Sequence, residues 1–192
     1  MFLRWLIIVL FFSCNQSTFS QSVRVMVYGG GNINFVFNSI AEFQSGVTLT
    51  NWTVIGIGVT EPVAGGHTGW TLSVSAEDAD GDGFLTGTVP ANKIPFADLQ
   101  VRATPLDLCV PCNFLGSPFV NLTSFAGGPT VIVNSTSDPA CPCPVPGKVT
   151  NLVPASTRIY VSYRCGVSPL GGMMGKPADF YSDNLWFDLS MF

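Results

Sequence analysis

The residues with the clearest chemical pattern form an acidic run in the middle of the chain, Glu77-Asp78-Ala79-Asp80-Gly81-Asp82-Gly83-Phe84. Asp78, Asp80 and Asp82, with a glycine at the sixth position, repeat the first half of a calcium-binding EF-hand loop. The twelfth position is Val89, where a full loop has a bidentate glutamate. The pattern predicts a partial calcium site of three aspartates and the Phe84 carbonyl. The alternative is an acidic hairpin turn, since Asp-Gly favours tight hairpins.

The cysteines form a second group with chemistry of its own. Beyond residue 20 they occur as Cys-Val-Pro-Cys, Cys-Pro-Cys and one separate residue, at Cys109, Cys112, Cys141, Cys143 and Cys165. Outside the cytoplasm this usage favours disulfides, whereas zinc is the alternative in a reducing compartment. We expect two bridges that hold the proline-rich loops 108–118 and 138–146 and leave one thiol over. The spacing does not give the connectivity.

Catalytic motifs are missing from the sequence. His67 is the one histidine, and it stands among glycines in the stretch 65–69. The chain contains no Gly-x-Ser-x-Gly elbow, phosphate-binding loop or His-Glu-x-x-His pattern. The sequence therefore predicts a protein that is not an enzyme and that uses no cofactor other than calcium.

The first residues have the layout of a secretory signal peptide, which predicts that residues 1–20 are removed. Arg4 precedes the apolar run 6–12, and small residues lead up to Ser20. The run is shorter than the roughly 20 residues that a membrane span needs. The segment resembles signals of Bacteroidota, in which Gln often opens the mature chain. An imperfect lipobox that ends at Cys14 offers a lipoprotein as the alternative. We expect a secreted or cell-surface protein that does not span a membrane.

Composition limits the class further. The chain has 192 residues, of which 47% are apolar and 10% charged, against about 25% charged in an average domain. This balance excludes intrinsic disorder, which combines low hydrophobicity with high charge. Eight basic against twelve acidic residues exclude a nucleic-acid binder that neutralises phosphates. Residues 21–192 are expected to form a single domain.

The alternation of apolar and polar residues predicts that most of the chain after residue 21 forms β-strands. The predicted strands cover residues 23–28, 33–38, 47–60, 70–76, 96–104, 130–133, 157–164 and 184–192. Residues 29–32 predict a turn between the first two, and residues 39–45 predict one helical turn. No crossover helix of adequate length is visible, so we predict an all-β antiparallel immunoglobulin-like sandwich with Greek-key connections and about eight or nine strands.

Several stretches resemble bacterial surface domains. The segments Ile40–Val47, Gly69–Ala76 and Ile94–Leu99 resemble the order of elements in immunoglobulin-like domains of the WxL type. The closing segment Lys176–Leu189 resembles the end of spore-coat-U and related fimbrial subunits, with Asp179 where the usual pattern has glycine. The resemblance implies a non-catalytic β-sandwich of the cell surface and a filament subunit.

The terminal strands suit assembly with other surface proteins. An alternating strand can add to a neighbour's sheet through main-chain hydrogen bonds. The apolar residues that would do so are Val23, Val25 and Val27 at the start and Leu185, Phe187 and Leu189 at the end. The alternative is that both are ordinary first and last strands. We predict an accessory or structural subunit of a surface filament or adhesin.

A carbohydrate-binding module, with or without calcium, is the alternative function. Sugar rings stack on exposed aromatic side chains, and the candidates are Trp52, Trp70, Tyr160, Tyr163, Tyr181 and Trp186. Tyr160 is the first choice, because it lies on the same face of its strand as Arg158, Ser162 and Arg164. Most of the others are expected in the core, since aromatic residues favour strands and bury large areas.

Overall fold

The computed structural model describes residues 22–60, 70–107, 118–134, 157–167 and 172–192. The strands are β1 Ser22–Gly29, β2 Val47–Thr60, β3 Trp70–Ala76, β4 Phe84–Thr86, β5 Lys93–Pro95, β6 Leu99–Pro105, β7 Val120–Asn121, β8 Thr130–Asn134, β9 Arg158–Cys165 and β10 Leu185–Met191. Helix α1 covers Ile40–Ser45, and a 3-10 turn covers Phe96–Asp98. The predicted signal peptide, Cys14, His67 and Cys109, Cys112, Cys141 and Cys143 lie outside the described residues.

The strands form two main sheets and one small hairpin. The larger sheet has the order β1-β2-β9-β6-β7, the smaller one has the order β10-β3-β8, and β4 pairs with β5. Every pairing between these strands is antiparallel. The prediction of an all-β antiparallel sandwich is confirmed.

The core lies between the two sheets and follows the alternation of the sequence. Residues 55, 57 and 59 of β2 face residues 70, 72, 74 and 76 of β3, and all are buried. Strand β9 lies at the centre of the larger sheet and contributes Ile159, Val161 and Tyr163. Tyr163 keeps its hydroxyl hydrogen-bonded in this apolar setting by donating to Thr53 Oγ1 at 3.0 Å.

A second, smaller apolar cluster closes one end of the sandwich. Its buried members are Ile94, Cys165 and Met173, with Phe37 and Phe43 packed against them. The short helix α1 brings Phe43 there and is held by a capping box between Ser39 and Glu42. Gly46 ends the helix at φ +77°, where a Cβ would approach the Cys165 carbonyl oxygen to 2.5 Å. The glycine therefore permits both the turn and the close approach to β9.

The predicted hairpin between residues 23–28 and 33–38 is wrong. Strand β1 pairs with β2 instead, in a register that places Val25 opposite Ile57. Residues 31–38 are extended without pairing to any described strand, yet Ile33, Phe35 and Phe37 still alternate inward and pack on the two clusters. The alternation of apolar and polar residues therefore predicts correctly which side chains are buried, but it does not predict which strand is the neighbour.

The described residues contain ten strands, so the predicted number was slightly low. The additional ones, β4, β5 and β7, have only two or three residues, too few for an alternation to be visible. The strand predicted from residue 96 begins at Leu99, because Phe96–Asp98 form the 3-10 turn. The helical turn predicted at 39–45 is confirmed as α1.

Candidate functional site

The outermost strands of the two sheets lie on the same side of the sandwich. Strand β1 is the edge of the larger sheet, β10 is the edge of the smaller sheet, and the two are neighbours across the core. On the opposite side, the connection from β7 to β8 joins the sheets, and Phe125 N donates to the Ala76 carbonyl at 2.9 Å. One side of the sandwich is thus bridged by backbone, whereas the other, which we call the open edge, consists of β1 and β10.

The outward backbone of β1 belongs to the valines that the sequence singled out. Ile57 N donates to the Thr157 carbonyl at 3.0 Å, so the polar backbone groups of Ile57 point to β9 and away from β1. Val25, its partner in the register, therefore turns its own N–H and C=O away from β2. By alternation Val23 and Val27 do the same. Within the described ranges no hydrogen bond reaches these outward groups.

Strand β10 presents its backbone in the same way. Glu77 N donates to the Asn184 carbonyl at 2.9 Å, which makes this a hydrogen-bonded pair next to β10. The next pair, Leu185 with Ala76, is therefore a non-hydrogen-bonded pair. The N–H and C=O of Leu185 consequently point outward, away from β3. Phe187 and Leu189 follow by alternation. The open edge consequently offers two rows of backbone donors and acceptors, one on each sheet.

Side chains at the open edge are apolar and partly exposed. Val23 and Val27 are 44% and 53% exposed, although they point to the core side of the sheet, because the smaller sheet does not reach beyond β1. On β10, Leu185 and Phe187 are half-buried and Trp186 is exposed. Native edge strands are commonly protected by proline or by charged side chains, lysine above all; β1 and β10 contain neither lysine nor proline and carry one charged residue each, Arg24 and Asp188. This edge is therefore suited to pairing with another strand.

The acidic run folds into a compact turn in which each carboxylate already has a partner. Asp78 accepts hydrogen bonds from the N–H groups of Asp82 at 3.1 Å and Gly83 at 3.0 Å. Lys93 Nζ lies 3.4 Å from Asp80 and closer to Asp82. The hydrogen bond from Lys93 lowers the pKa of Asp82, and that from Asp82 raises the pKa of Lys93.

The lysine occupies the position between two of the predicted calcium ligands. Phe84, whose carbonyl was the fourth predicted ligand, begins β4 and donates its N–H to Asp82 at 3.0 Å. In the described part of the chain no three His, Cys, Asp or Glu residues are grouped as metal ligands. Calcium binding by Asp78, Asp80, Asp82 and Phe84 stays a prediction, and it requires Lys93 to move.

We expect millimolar calcium to change the melting temperature by less than about 1 °C, because calcium would have to displace the Lys93 ammonium that already pairs with Asp80 and Asp82. Thermal melting with calcium and with a chelator measures this. Lys93→Gln is the matched variant, since it keeps a long polar side chain but frees the carboxylates, and it should gain a calcium response. Stabilisation of the unaltered protein by several degrees would mean that calcium displaces the lysine.

Asp179, the residue at variance with the fimbrial pattern, fastens the closing segment to the loop between β4 and β5. Its carboxylate accepts hydrogen bonds from Val89 N at 2.9 Å, Asn92 Nδ2 at 3.0 Å and Phe180 N at 2.7 Å, and from the Thr88 hydroxyl. These bonds, with that from Thr88 the strongest, hold the pKa of Asp179 well below 3.8. Gly87 makes room for the carboxylate, since a Cβ there would lie 2.8 Å from Asp179 Cγ.

Substitution Asp179→Asn is expected to lower the melting temperature by several degrees at neutral pH and to reduce the acid sensitivity of the protein. A carboxyl group whose pKa falls on folding stabilises the fold above its unfolded pKa and ceases to do so as the pH drops. The contribution of Asp179 is thus complete above about pH 5 and declines below that. Melting curves at pH 7 and pH 3 test this, with exposed Asp188→Asn as the control. Equal acid sensitivity in all three proteins would contradict the assignment.

Of the five disulfide candidates, the structure describes Cys165, which is a free thiol. It is 3% exposed and contacts Met173 Sδ at 3.6 Å. Burial, followed by the nearby Asp98 charge, raises the pKa of Cys165 to about 12. Cys165 therefore fits the odd thiol that the count predicts, and the pairing of the other four stays a prediction.

The aromatic candidates divide by burial. Trp70 and Tyr163 lie in the core and are unable to stack on a ligand. Tyr160, the first choice from the sequence, is half-buried, while Trp52 and Trp186 are exposed. Trp52 is held in place by its indole N–H, which donates to the Asn32 carbonyl at 2.7 Å.

Two further findings bear on the kind of protein. None of the helices in the described ranges has the length and apolar character required to cross a membrane. Comparisons with protein-family models and with curated proteins yielded no match to this chain.

Proposed function

We propose that the chain is a non-catalytic extracytoplasmic interaction protein, an accessory or structural subunit of a surface filament or adhesin. In this role it joins its partner by strand addition at the open edge. The observation that carries the proposal is the outward-facing backbone of β1 at Val23, Val25 and Val27, which no described residue satisfies.

Two properties of the edge support a strand as the occupant. An incoming strand would satisfy the backbone donors and acceptors, and it would cover the exposed parts of Val23 and Val27. The neighbouring edge of β10 lies within reach of the same partner, which could continue either sheet. On the far side of the sandwich, the β7–β8 connection crosses between the sheets next to Ala76.

The experiment is capture of partners from native envelopes with tagged protein, quantified by mass spectrometry. The double variant Val23→Lys and Val27→Lys should recover at least about tenfold less partner, because lysines on an edge strand oppose pairing. Its melting temperature should stay within about 2 °C of the parent, since both valines are near half exposed.

The matched control places the same two lysines away from the edge. Val36 and Val89 are 57% and 52% exposed and belong to neither β1 nor β10, so Val36→Lys with Val89→Lys should leave recovery unchanged. Equal recovery by the edge variant and the parent would refute strand addition at β1. Failure of the parent protein to capture any partner would refute the interaction role itself.

A further inference from the structure

The outer face of the larger sheet gathers the positive charge of an acidic protein. All four arginines in the described ranges, Arg24, Arg102, Arg158 and Arg164, alternate with core residues on β1, β6 and β9 and so point away from the core. The chain as a whole carries a net charge of −4. We call this surface the arginine face.

These arginines have few carboxylates to pair with. Arg158 pairs with Asp107, which is the one ion pair of an arginine within the described residues. Arg164 donates from Nε to the neutral Gln100 side chain, whose amide in turn donates to Asn121. Arg102 has a buried Nε without a hydrogen-bond partner. Three of the four cations therefore lack a counter-charge within the described residues.

Two of the cations contact the same aromatic ring. The guanidinium carbons of Arg102 and Arg164 lie 4.5 Å and 4.4 Å from the ring centroid of Phe119. The ring attracts each guanidinium through its quadrupole, but the two like charges repel each other. Desolvation and then the Arg102 charge lower the pKa of Arg164. An anion bound at either guanidinium would offset this repulsion and accept hydrogen bonds from that group.

The charges extend across the sheet rather than converging at one point. From β1 to β6 there are three strand intervals, about 14 Å at the usual spacing. Arg158 lies on β9, between β1 and β6 in the sheet, and the phenol rings of Tyr28 and Tyr160 lie close to it. Tyr28 is 46% exposed. Phenol rings offer apolar faces for sugar rings and hydroxyls for hydrogen bonds.

We propose that the arginine face binds an anionic polysaccharide that carries carboxylate or sulfate groups along its chain. Guanidinium groups pair with both kinds of oxyanion through two parallel hydrogen bonds. Charge complementarity selects the polyanion, and the row of arginines and phenols selects an extended chain rather than a single small anion. The proposal is independent of strand addition, since it uses the face of the sheet and not its edge.

Affinity electrophoresis of the full chain tests the proposal, with polygalacturonate, dextran sulfate or neutral dextran in the gel. We expect retardation by one or both polyanions and none by dextran, which also tells a carboxylate from a sulfate ligand. Arg102→Gln with Arg164→Gln should weaken binding at least about tenfold, and exposed Arg24→Gln should weaken it about threefold without affecting folding. Higher salt should weaken binding of the parent protein.

The control Lys93→Gln removes one positive charge that lies on β5, outside the larger sheet, and should change the affinity less than about twofold. Absence of retardation in both polyanion gels would overturn the proposal, as would equal retardation in neutral dextran. Equal losses of affinity in Lys93→Gln and Arg24→Gln would mean that binding depends on net charge alone and not on the arginine face. Salt-sensitive self-association without polysaccharide binding would assign the face to an acidic protein surface instead.

Discussion

Replacing Trp70 by alanine is expected to lower the free energy of unfolding by about 3–5 kcal/mol and the melting temperature by roughly 6–20 °C. Trp70 is 0% exposed and begins β3, the central strand of the smaller sheet. Its removal leaves a cavity between the sheets that the surrounding strands are too constrained to fill. Thermal and chemical unfolding measure the loss.

The exposed Trp186 provides the matched control, because it removes the same side chain from the surface. Trp186 is 57% exposed, so Trp186→Ala should alter the free energy of unfolding by no more than about 0.5 kcal/mol. Trp70→Phe should cost less than Trp70→Ala, since it retains part of the volume. A melting temperature for Trp70→Ala within about 2 °C of the parent would be incompatible with the described core.

The thiol of Cys165 is expected to react with alkylating and disulfide reagents at least about a thousandfold more slowly than an unstructured cysteine at pH 8. With a pKa of about 12, only about one thiol in ten thousand is ionised at this pH, against about a quarter at the ordinary value. Burial restricts access in addition. Alkylation followed by peptide mapping isolates Cys165 from the other cysteines.

Denaturant supplies the comparison for this measurement, because it should restore the ordinary rate. A native rate close to the unfolded one would place the thiol at the surface.

The burial of Cys165 also predicts that the fold is sensitive to alkaline pH. A thiol whose pKa rises on folding stabilises the fold at lower pH, and this stabilisation is lost as the pH climbs from about 9 toward 12. Burial also raises the pKa of Tyr163 to about 12, so both groups weaken the fold in the same range.

The positions of the long strands were accessible from the sequence, because a strand with one buried face must alternate. β2, β3, β8, β9 and β10 were found in this way. Pairing was not accessible locally: residues 33–38 alternate as well as any strand, yet lie unpaired with the described strands. That β1 and β10 are edges on the same side follows from the topology, although the residues exposed there were identified from the pattern.

The contacts of the acidic turn were likewise not predictable from the local sequence. Lys93 follows Asp82 by 11 residues, a spacing that a hairpin between β4 and β5 would have suggested had these short strands been visible. Three of the four donors around Asp179 lie 87 to 91 residues away, and only the fold brings them to it. The arginine face required the sheet order, since its members come from three strands far apart in the chain.

The central position of β9 has a consequence for how the chain folds. The hydrogen bond from Asn51 to Ser162 joins residues 111 positions apart, and the contact between Thr71 and Ser190 spans 119. Such high contact order predicts folding in milliseconds to seconds, because distant segments must meet before either sheet gains stability. Strands β2 and β3 acquire their partners β9 and β10 only after most of the chain has been synthesised. A growing chain of this kind is expected to stay unfolded until its synthesis is nearly complete.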